Sequence, residues 1–263
     1  MALCVTQGRP TNFSFTTYAI GSYQYGWQHS LNWSTMIADS LRRSVQKNIA
    51  SFNISYMRRH FGASPTTVSL NSFENSGVVS NNFISSEAAN YNFIFYYGHG
   101  TTDTLTMWNY SGYVTNNHVG VGVRDTYWAL LHACLVFRNG HSSQDPWFDG
   151  VFKGAHSILG YSSSTFGSSH VIKAYKNFLN RWIVLDEKIW NAYSTAVVNI
   201  MHTEGGLDVE PKIVYRYGHV NNDFFDPWEE KFANAYNGPL FSNNDYDGIG
   251  SRWISLGTPI YGD

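Results

Sequence analysis

Residues 91–98, YNFIFYYG, and residues 127–132, YWALLH, are the two apolar runs that decide how this chain can fold. Short runs rich in aromatic and aliphatic residues are typical of parallel strands that are buried on both faces of a sheet. The first run leads into His99-Gly100, and the second leads into Ala133-Cys134. Because working residues in open α/β sheets lie beyond the carboxyl ends of the strands, we expect His99 and Cys134 at one edge of one sheet.

The spacing and chemistry of this pair indicate nucleophilic catalysis. His99 and Cys134 are 35 positions apart, which leaves room for a crossover connection between parallel strands. A thiolate with a histidine partner is the minimal equipment for such catalysis. The alternative for Cys134 is a small buried hydrophobic residue, which is how most free cysteines behave.

Strand and helix patterns alternate on both sides of these two runs. We predict further strands at 13–20, 52–57, 66–70, 156–162 and 212–217, and helices near 33–45, 172–182 and 189–200. Such alternation predicts an α/β fold with a mostly parallel central sheet flanked by helices on both faces. The 263 residues fit a single domain over 1–263, with 218–263 as a turn-rich C-terminal extension.

Composition narrows the range of partners. With a net charge of −2, the chain lacks the positive charge that is typical of nucleic-acid-binding proteins. There is no apolar stretch of about 20 residues that could span a membrane, and no signal-peptide pattern, so we expect no membrane partner. Two cysteines, Cys4 and Cys134, do not make a disulfide scaffold. The cellular compartment stays open.

An apolar run ending in His-Gly, followed by another ending in Ala-Cys, resembles the signature of the caspase-like cysteine peptidases. That superfamily includes caspases, metacaspases, legumains, clostripain and gingipains. Here the signature reads YGHG at 97–100 and LHAC at 131–134. Residues 147–161 also look like the helix and following strand of gingipain-like bacterial members. The resemblance covers roughly residues 90 to 165, and beyond them only the order of elements matches.

The resemblance implies a caspase-like sandwich fold and a specific chemistry. Cys134 would be the nucleophile, His99 its acid/base partner, and the N–H groups of Gly100 and Cys134 an oxyanion hole. The implied function is hydrolysis of peptide bonds in a peptide or protein substrate through a thioester. Neither the substrate nor the residue preferred before the cut follows from these residues.

The chain departs from caspases around the nucleophile. His132 replaces the caspase Gln before Ala-Cys, and Leu135-Val136-Phe137 replaces the following Arg-Gly, so a preference for Asp is not implied. This apolar segment could narrow the cleft or cover the thiol. Two alternatives therefore remain: a catalytically silent caspase-like binding module, and a thioester-forming peptide ligase, cyclase or tailoring enzyme. Ligation differs from hydrolysis only in water exclusion.

Several other residues are candidates for the site. His132 could tune the thiolate or replace His99 as base, or it could be a core histidine. Asp103 could orient the His99 imidazole, although such residues often only form turns. In the resembled family, the region of Ser162, Ser163, Ser164 and Thr165 helps to line the pocket for the residue before the cleaved bond. An ordinary polar loop is the alternative.

We expect no cofactor, with one weak indication of calcium. Asn243, Asp245, Asp247 and Gly248 match the first half of a calcium-binding loop. Ile254 occupies the position of the closing Glu, so a surface turn is the preferred interpretation. No firm metal site is predicted.

Overall fold

The structure is a computed structural model. It describes residues 12–19, 31, 33–48, 53–61, 91–102, 104–106, 113–115, 126–138, 155–220, 223–232 and 248–256. The predicted strand at 66–70 lies outside these residues.

A large mixed sheet forms the centre of the described structure. Its members are β1 (Asn12–Ala19), β2 (Asn53–Phe61), β3 (Phe93–Tyr97), β6 (Trp128–His132), β7 (Ser157–Tyr161), β8 (Pro211–Val220), β9 (Asp223–Phe225) and β10 (Gly248–Trp253). The strand order is β10-β8-β7-β6-β3-β1-β2, and β9 pairs with β8. The pairs from β2 to β7 are parallel, whereas β8 pairs antiparallel with β7, β9 and β10. A separate hairpin pairs β4 (Thr104–Thr106) with β5 (Tyr113–Thr115).

Three described α-helices accompany the sheet. They are α1 (Ser34–Asn48), α2 (Ser169–Leu179) and α3 (Ile189–Ala196). Helix α2 continues as π-helical turns over Asn180–Val184, and α3 does so over Val197–Glu204. The Ser168 side chain caps α2 by accepting a hydrogen bond from the Val171 N–H. No helix in the described part of the chain is long and apolar enough to cross a bilayer.

One face of the sheet and these helices share a single apolar core. Alternate residues of β1, β3, β6, β7 and β8 point to that face, as the two-residue period of a strand requires. They pack against helix residues such as Ile37, Tyr175 and Trp182. The central strands β3, β6 and β7 are buried along their whole length, which explains their continuous apolar sequence. The predicted α/β class with a mostly parallel sheet is confirmed.

The opposite face is also buried. Ile94, Tyr96 and Ile158 point there and are at most 4% exposed. Phe137 covers Gly160, because a Cβ added at that glycine would meet the Phe137 ring at 2.6 Å. The helix expected from residue 147 onwards lies outside the described residues.

The segment predicted as a C-terminal extension contributes to the sheet and to the core. Strand β10 pairs with β8, and Phe232 belongs to the apolar core. Glu230 is buried at 5% exposure and accepts hydrogen bonds in the interior from Trp128 Nε1 and from His156 Nδ1, each at 2.7 Å. These contacts tie the segment to the amino ends of β6 and β7.

Candidate active site

The register of β3 and β6 aligns the two segments that carry His99 and Cys134. Tyr97 pairs with His132 at the carboxyl ends of these parallel strands, and the Gly98 N–H donates to the His132 carbonyl at 3.2 Å. His99 and Cys134 each follow that aligned pair by two residues. Both side chains are partly exposed. The structure therefore brings the two segments out of the sheet side by side at one edge.

The backbone around His99 is held closely. The His99 carbonyl accepts a hydrogen bond from the Tyr96 hydroxyl at 3.1 Å. Gly98 has no room for a side chain, because an added Cβ would overlap the Tyr96 hydroxyl. Gly100 forms an isolated antiparallel bridge with Leu105. The His-Gly segment thus runs from a buried strand into a small hairpin.

The Cys134 sulfur lies against Thr165. The Thr165 N–H donates to Sγ at 3.3 Å, and the Thr165 hydroxyl lies 3.8 Å from Sγ. Sγ also lies 3.6 Å from the Thr165 carbonyl, within reach of a thiol proton. Among the described residues, the Cys134 N–H has no hydrogen-bond partner.

The residues after Cys134 form a tight turn. Leu135 has a φ of 60°, a left-handed conformation that residues with a side chain rarely adopt. The turn is pinned to the segment after β7: the Leu135 N–H donates to the Ser163 carbonyl at 2.9 Å, and the Phe137 N–H to the Tyr161 carbonyl at 3.0 Å. Val136 and Phe137 are fully buried. The apolar triplet after the cysteine is thus largely core.

His132 belongs to a buried aromatic network below this edge. Its ring stacks on Tyr97, and its Nδ1 lies 2.5 Å from the Tyr175 hydroxyl. The Tyr175 hydroxyl in turn lies 2.7 Å from that of Tyr161. Burial lowers the pKa of His132 to about 3, and the Phe166 backbone opposes that shift only in part. A neutral imidazole held this way has the features of a core histidine.

The three candidate serines lie in the loop after β7, and Glu210 connects two of them. The Ser162 hydroxyl donates to a carboxylate oxygen of Glu210 at 3.0 Å, and the Glu210 N–H donates to the Ser163 oxygen at 2.8 Å. The Ser163 hydroxyl donates to the Ser164 carbonyl. A pocket of about 260 Å³ is lined by Phe137, Arg138, Ser162, Glu210, Lys212, Trp253 and Ser255. Ser163 and Ser164 are not among its lining residues.

The sequence places Thr165 in a candidate pocket loop but does not predict its contact with Cys134, and it gives no indication of Glu210. Thr165 contacts Cys134 across 31 positions, and Glu210 contacts Ser162 across 48 positions. No local pattern marks either contact, since the fold brings residues together that are far apart in the sequence.

The remaining predicted site residues fall elsewhere. Asp103, Asn243, Asp245 and Asp247 lie outside the described residues. Within the described ranges, no three histidine, cysteine or acidic side chains converge on a point that could hold a metal ion.

Comparisons with known proteins give a family match and structural matches of low sequence identity. A family described as "Domain of unknown function (DUF6345)" matches residues 25–238. No curated protein matches the chain. A solved structure of pro-sf-caspase-1 is 8% identical, with a TM-score of 0.45, over 77% of this chain and 86% of that chain. Caspase-1 from Spodoptera frugiperda is 10% identical, with a TM-score of 0.42, over 73% and 79%.

Proposed function

We propose that this chain, which belongs to the DUF6345 family of domains of unknown function, is a caspase-like cysteine peptidase. It would hydrolyse peptide bonds through a thioester on Cys134, with His99 as acid and base. The observation that carries the proposal is the pairing of Tyr97 with His132 at the ends of adjacent parallel strands. Because of this pairing, the segments that carry His99 and Cys134 leave the sheet next to each other. Cys134 is also partly exposed, as a nucleophile must be.

In the proposed acylation step, His99 takes the Cys134 thiol proton and Sγ attacks the carbonyl carbon of the substrate. A C–S bond forms, and the carbonyl electron pair moves onto oxygen. His99 then gives its proton to the amide nitrogen as the C–N bond breaks and the amine leaves. In the second step, His99 removes a proton from water, hydroxide adds to the thioester, and the C–S bond breaks. The carboxylic product leaves, and the thiol is restored.

The oxyanion of each step needs hydrogen-bond donors. The Cys134 N–H makes no hydrogen bond within the described structure, which supports its assignment to this role together with the Gly100 N–H. Removal of one such donor in other enzymes costs about 3 kcal/mol of transition-state stabilisation. Gly100 lacks a Cβ, which lets a substrate approach its backbone closely.

A peptide or protein is the proposed substrate. Phe166 follows Thr165, the residue that contacts the Cys134 sulfur, and its side chain is 53% exposed. An exposed phenyl ring one residue after this contact favours a substrate that carries an apolar group near the cut. The burial of Val136 and Phe137 supports a reactive Cys134, since those side chains pack into the core and not over the thiol.

The test is digestion of a mixed peptide library, with product masses read by mass spectrometry. We expect cleavage by the wild type and none by Cys134→Ala or His99→Ala, while His219→Ala, on an exposed histidine of β8, should cleave normally. Circular dichroism must show that all variants fold. Full activity in Cys134→Ala or His99→Ala contradicts the proposal. Joined or cyclic products in place of hydrolysed ones would identify a ligase or cyclase, and no product at all would favour the silent binding module.

A further inference from the structure

Hydrogen bonds join the loop after β7 to the turn at Cys134 and Leu135. The Ser163 carbonyl accepts from the Leu135 N–H at 2.9 Å, and the Thr165 N–H donates to Cys134 Sγ at 3.3 Å. The position of the sulfur therefore depends on the position of this loop. The Thr165 N–H, which favours a negative charge on sulfur, lies closer to Sγ than the Thr165 carbonyl does, at 3.3 Å against 3.6 Å.

Glu210 holds the same loop from the other side. The Ser162 N–H donates to the Glu210 carbonyl at 3.1 Å, and the Ser162 hydroxyl donates to Oε2 at 3.0 Å. The Glu210 N–H donates to the Ser163 oxygen at 2.8 Å. Its second carboxylate oxygen, Oε1, accepts from the Ser255 hydroxyl at 3.1 Å. Both oxygens of one carboxylate thus fix residues from two separate segments.

We propose that Glu210 is a positioning residue for Cys134. Its carboxylate orients Ser162, the Ser162-Ser163 backbone sets the place of Thr165, and the Thr165 N–H then holds the sulfur. Glu210 does not touch the reacting atoms. The consequence for turnover rests on the proposed function, but the consequence for the thiol does not.

The chain offers a graded series of substitutions. Glu210→Ala removes both hydroxyl contacts. Glu210→Gln keeps the size and one acceptor oxygen, and should lie between Glu210→Ala and the wild type. Ser162→Ala removes only the hydroxyl that reaches Oε2. Glu204→Ala is the matched control, because Glu204 is a half-exposed glutamate that pairs with Lys173 on the surface.

The primary measurement is the rate of Cys134 alkylation by iodoacetamide in the full chain from pH 5 to 9, with mass spectrometry of the modified peptide. If the Thr165 contact is worth an ordinary hydrogen bond, we expect Glu210→Ala to slow alkylation at pH 7 about fivefold. Glu204→Ala should match the wild type, and Glu210→Gln should be intermediate.

A double-mutant cycle tests the route of the effect. If Glu210 acts through Ser162, the double variant Ser162→Ala/Glu210→Ala should react no more slowly than Glu210→Ala alone. Fully additive effects would overturn this route. A Glu210→Ala profile equal to that of Glu204→Ala overturns the proposal, and so does a wild-type Cys134 that never reacts. If Glu210→Ala fails to fold, the alkylation rate of Glu210→Gln still tests the proposal.

The two proposals fail in distinguishable ways. If Cys134 is a working nucleophile, Glu210→Ala should lower kcat more than it raises KM, because a misplaced sulfur impairs attack and not binding. If no variant cleaves any peptide while the alkylation profiles still separate as expected, the peptidase proposal falls and the positioning role of Glu210 stands.

Discussion

The rings of Tyr97 and His132 stack with centroids 4.5 Å apart and an interplanar angle of 13°. The two residues are also aligned partners in β3 and β6. The strand ends that lead to His99 and Cys134 are therefore joined by side chains as well as by backbone. Burial raises the pKa of Tyr97, and the nearby Cys134 raises it further. Both stacked rings are neutral at pH 7, because the pKa of Tyr97 is raised and that of His132 is lowered.

The buried imidazole of His132 should make the fold sensitive to mild acid. Its pKa is about 3 in the folded chain against an ordinary value of 6.5, so the unfolded chain binds a proton first as the pH falls. The stabilising effect is complete above pH 6.5 and is lost progressively towards pH 3. The loss amounts to at most about 1.4 kcal/mol per pH unit.

This sensitivity can be measured by urea unfolding at pH 7, 6, 5 and 4 in the wild type and in His132→Gln. The glutamine does not titrate, so the free energy of unfolding of the variant should fall less steeply with decreasing pH. The difference between the two curves isolates His132 from the carboxylates, which titrate in both proteins. Parallel curves would show that His132 is not the group responsible.

The Tyr175 hydroxyl connects His132 to the rest of the buried network. It contacts His132 Nδ1 and the Tyr161 hydroxyl, at 2.5 and 2.7 Å. Tyr175→Phe should leave both partners short of a hydrogen bond in the core and lower the free energy of unfolding by about 1–3 kcal/mol. The matched control is Tyr217→Phe, since within the described residues the Tyr217 hydroxyl makes no hydrogen bond. An equal loss of stability in both variants would contradict this account.

The sequence predicts the bounds of the strands that carry the site, but it does not predict the side-chain contacts within the site. The apolar runs at 91–98 and 127–132 correspond to Phe93–Tyr97 and Trp128–His132, because full burial leaves a continuous apolar pattern. The antiparallel direction of β8 is not visible in its sequence, since residue alternation is the same for both directions. The contact of Thr165 with Cys134 and the contacts of Glu210 could not be predicted, because the partners are brought together by the fold.

The left-handed conformation of Leu135 predicts an unusual order of substitutions. Its φ of 60° places Cβ too close to the backbone, at a cost of about 1–2 kcal/mol for a residue with a side chain. Glycine avoids this cost, and a β-branched residue suffers most. Leu135→Val should therefore be less stable than Leu135→Gly when the free energy of unfolding is measured in urea. The reverse order would mean that the Leu135 side chain matters more than its backbone.

Substitution of Glu230, which lies at the amino ends of β6 and β7, should cause a large loss of stability. It accepts hydrogen bonds from Trp128 and His156 in the interior, and burial raises its pKa while these partners oppose the shift. Glu230→Ala leaves two buried groups without their acceptor, so we expect it to lower the free energy of unfolding by about 3 kcal/mol.

The neighbouring glutamate provides the control for Glu230. Glu229 pairs with Lys188 on the surface, where both side chains are well exposed, so Glu229→Ala should cost at most about 0.5 kcal/mol. Glu230→Gln should retain most of the stability, since the amide can accept from Trp128 and donate to His156. Urea unfolding of the three variants tests the order. Equal losses in Glu230→Ala and Glu229→Ala would mean that the C-terminal segment is not held to β6 and β7 by this buried carboxylate.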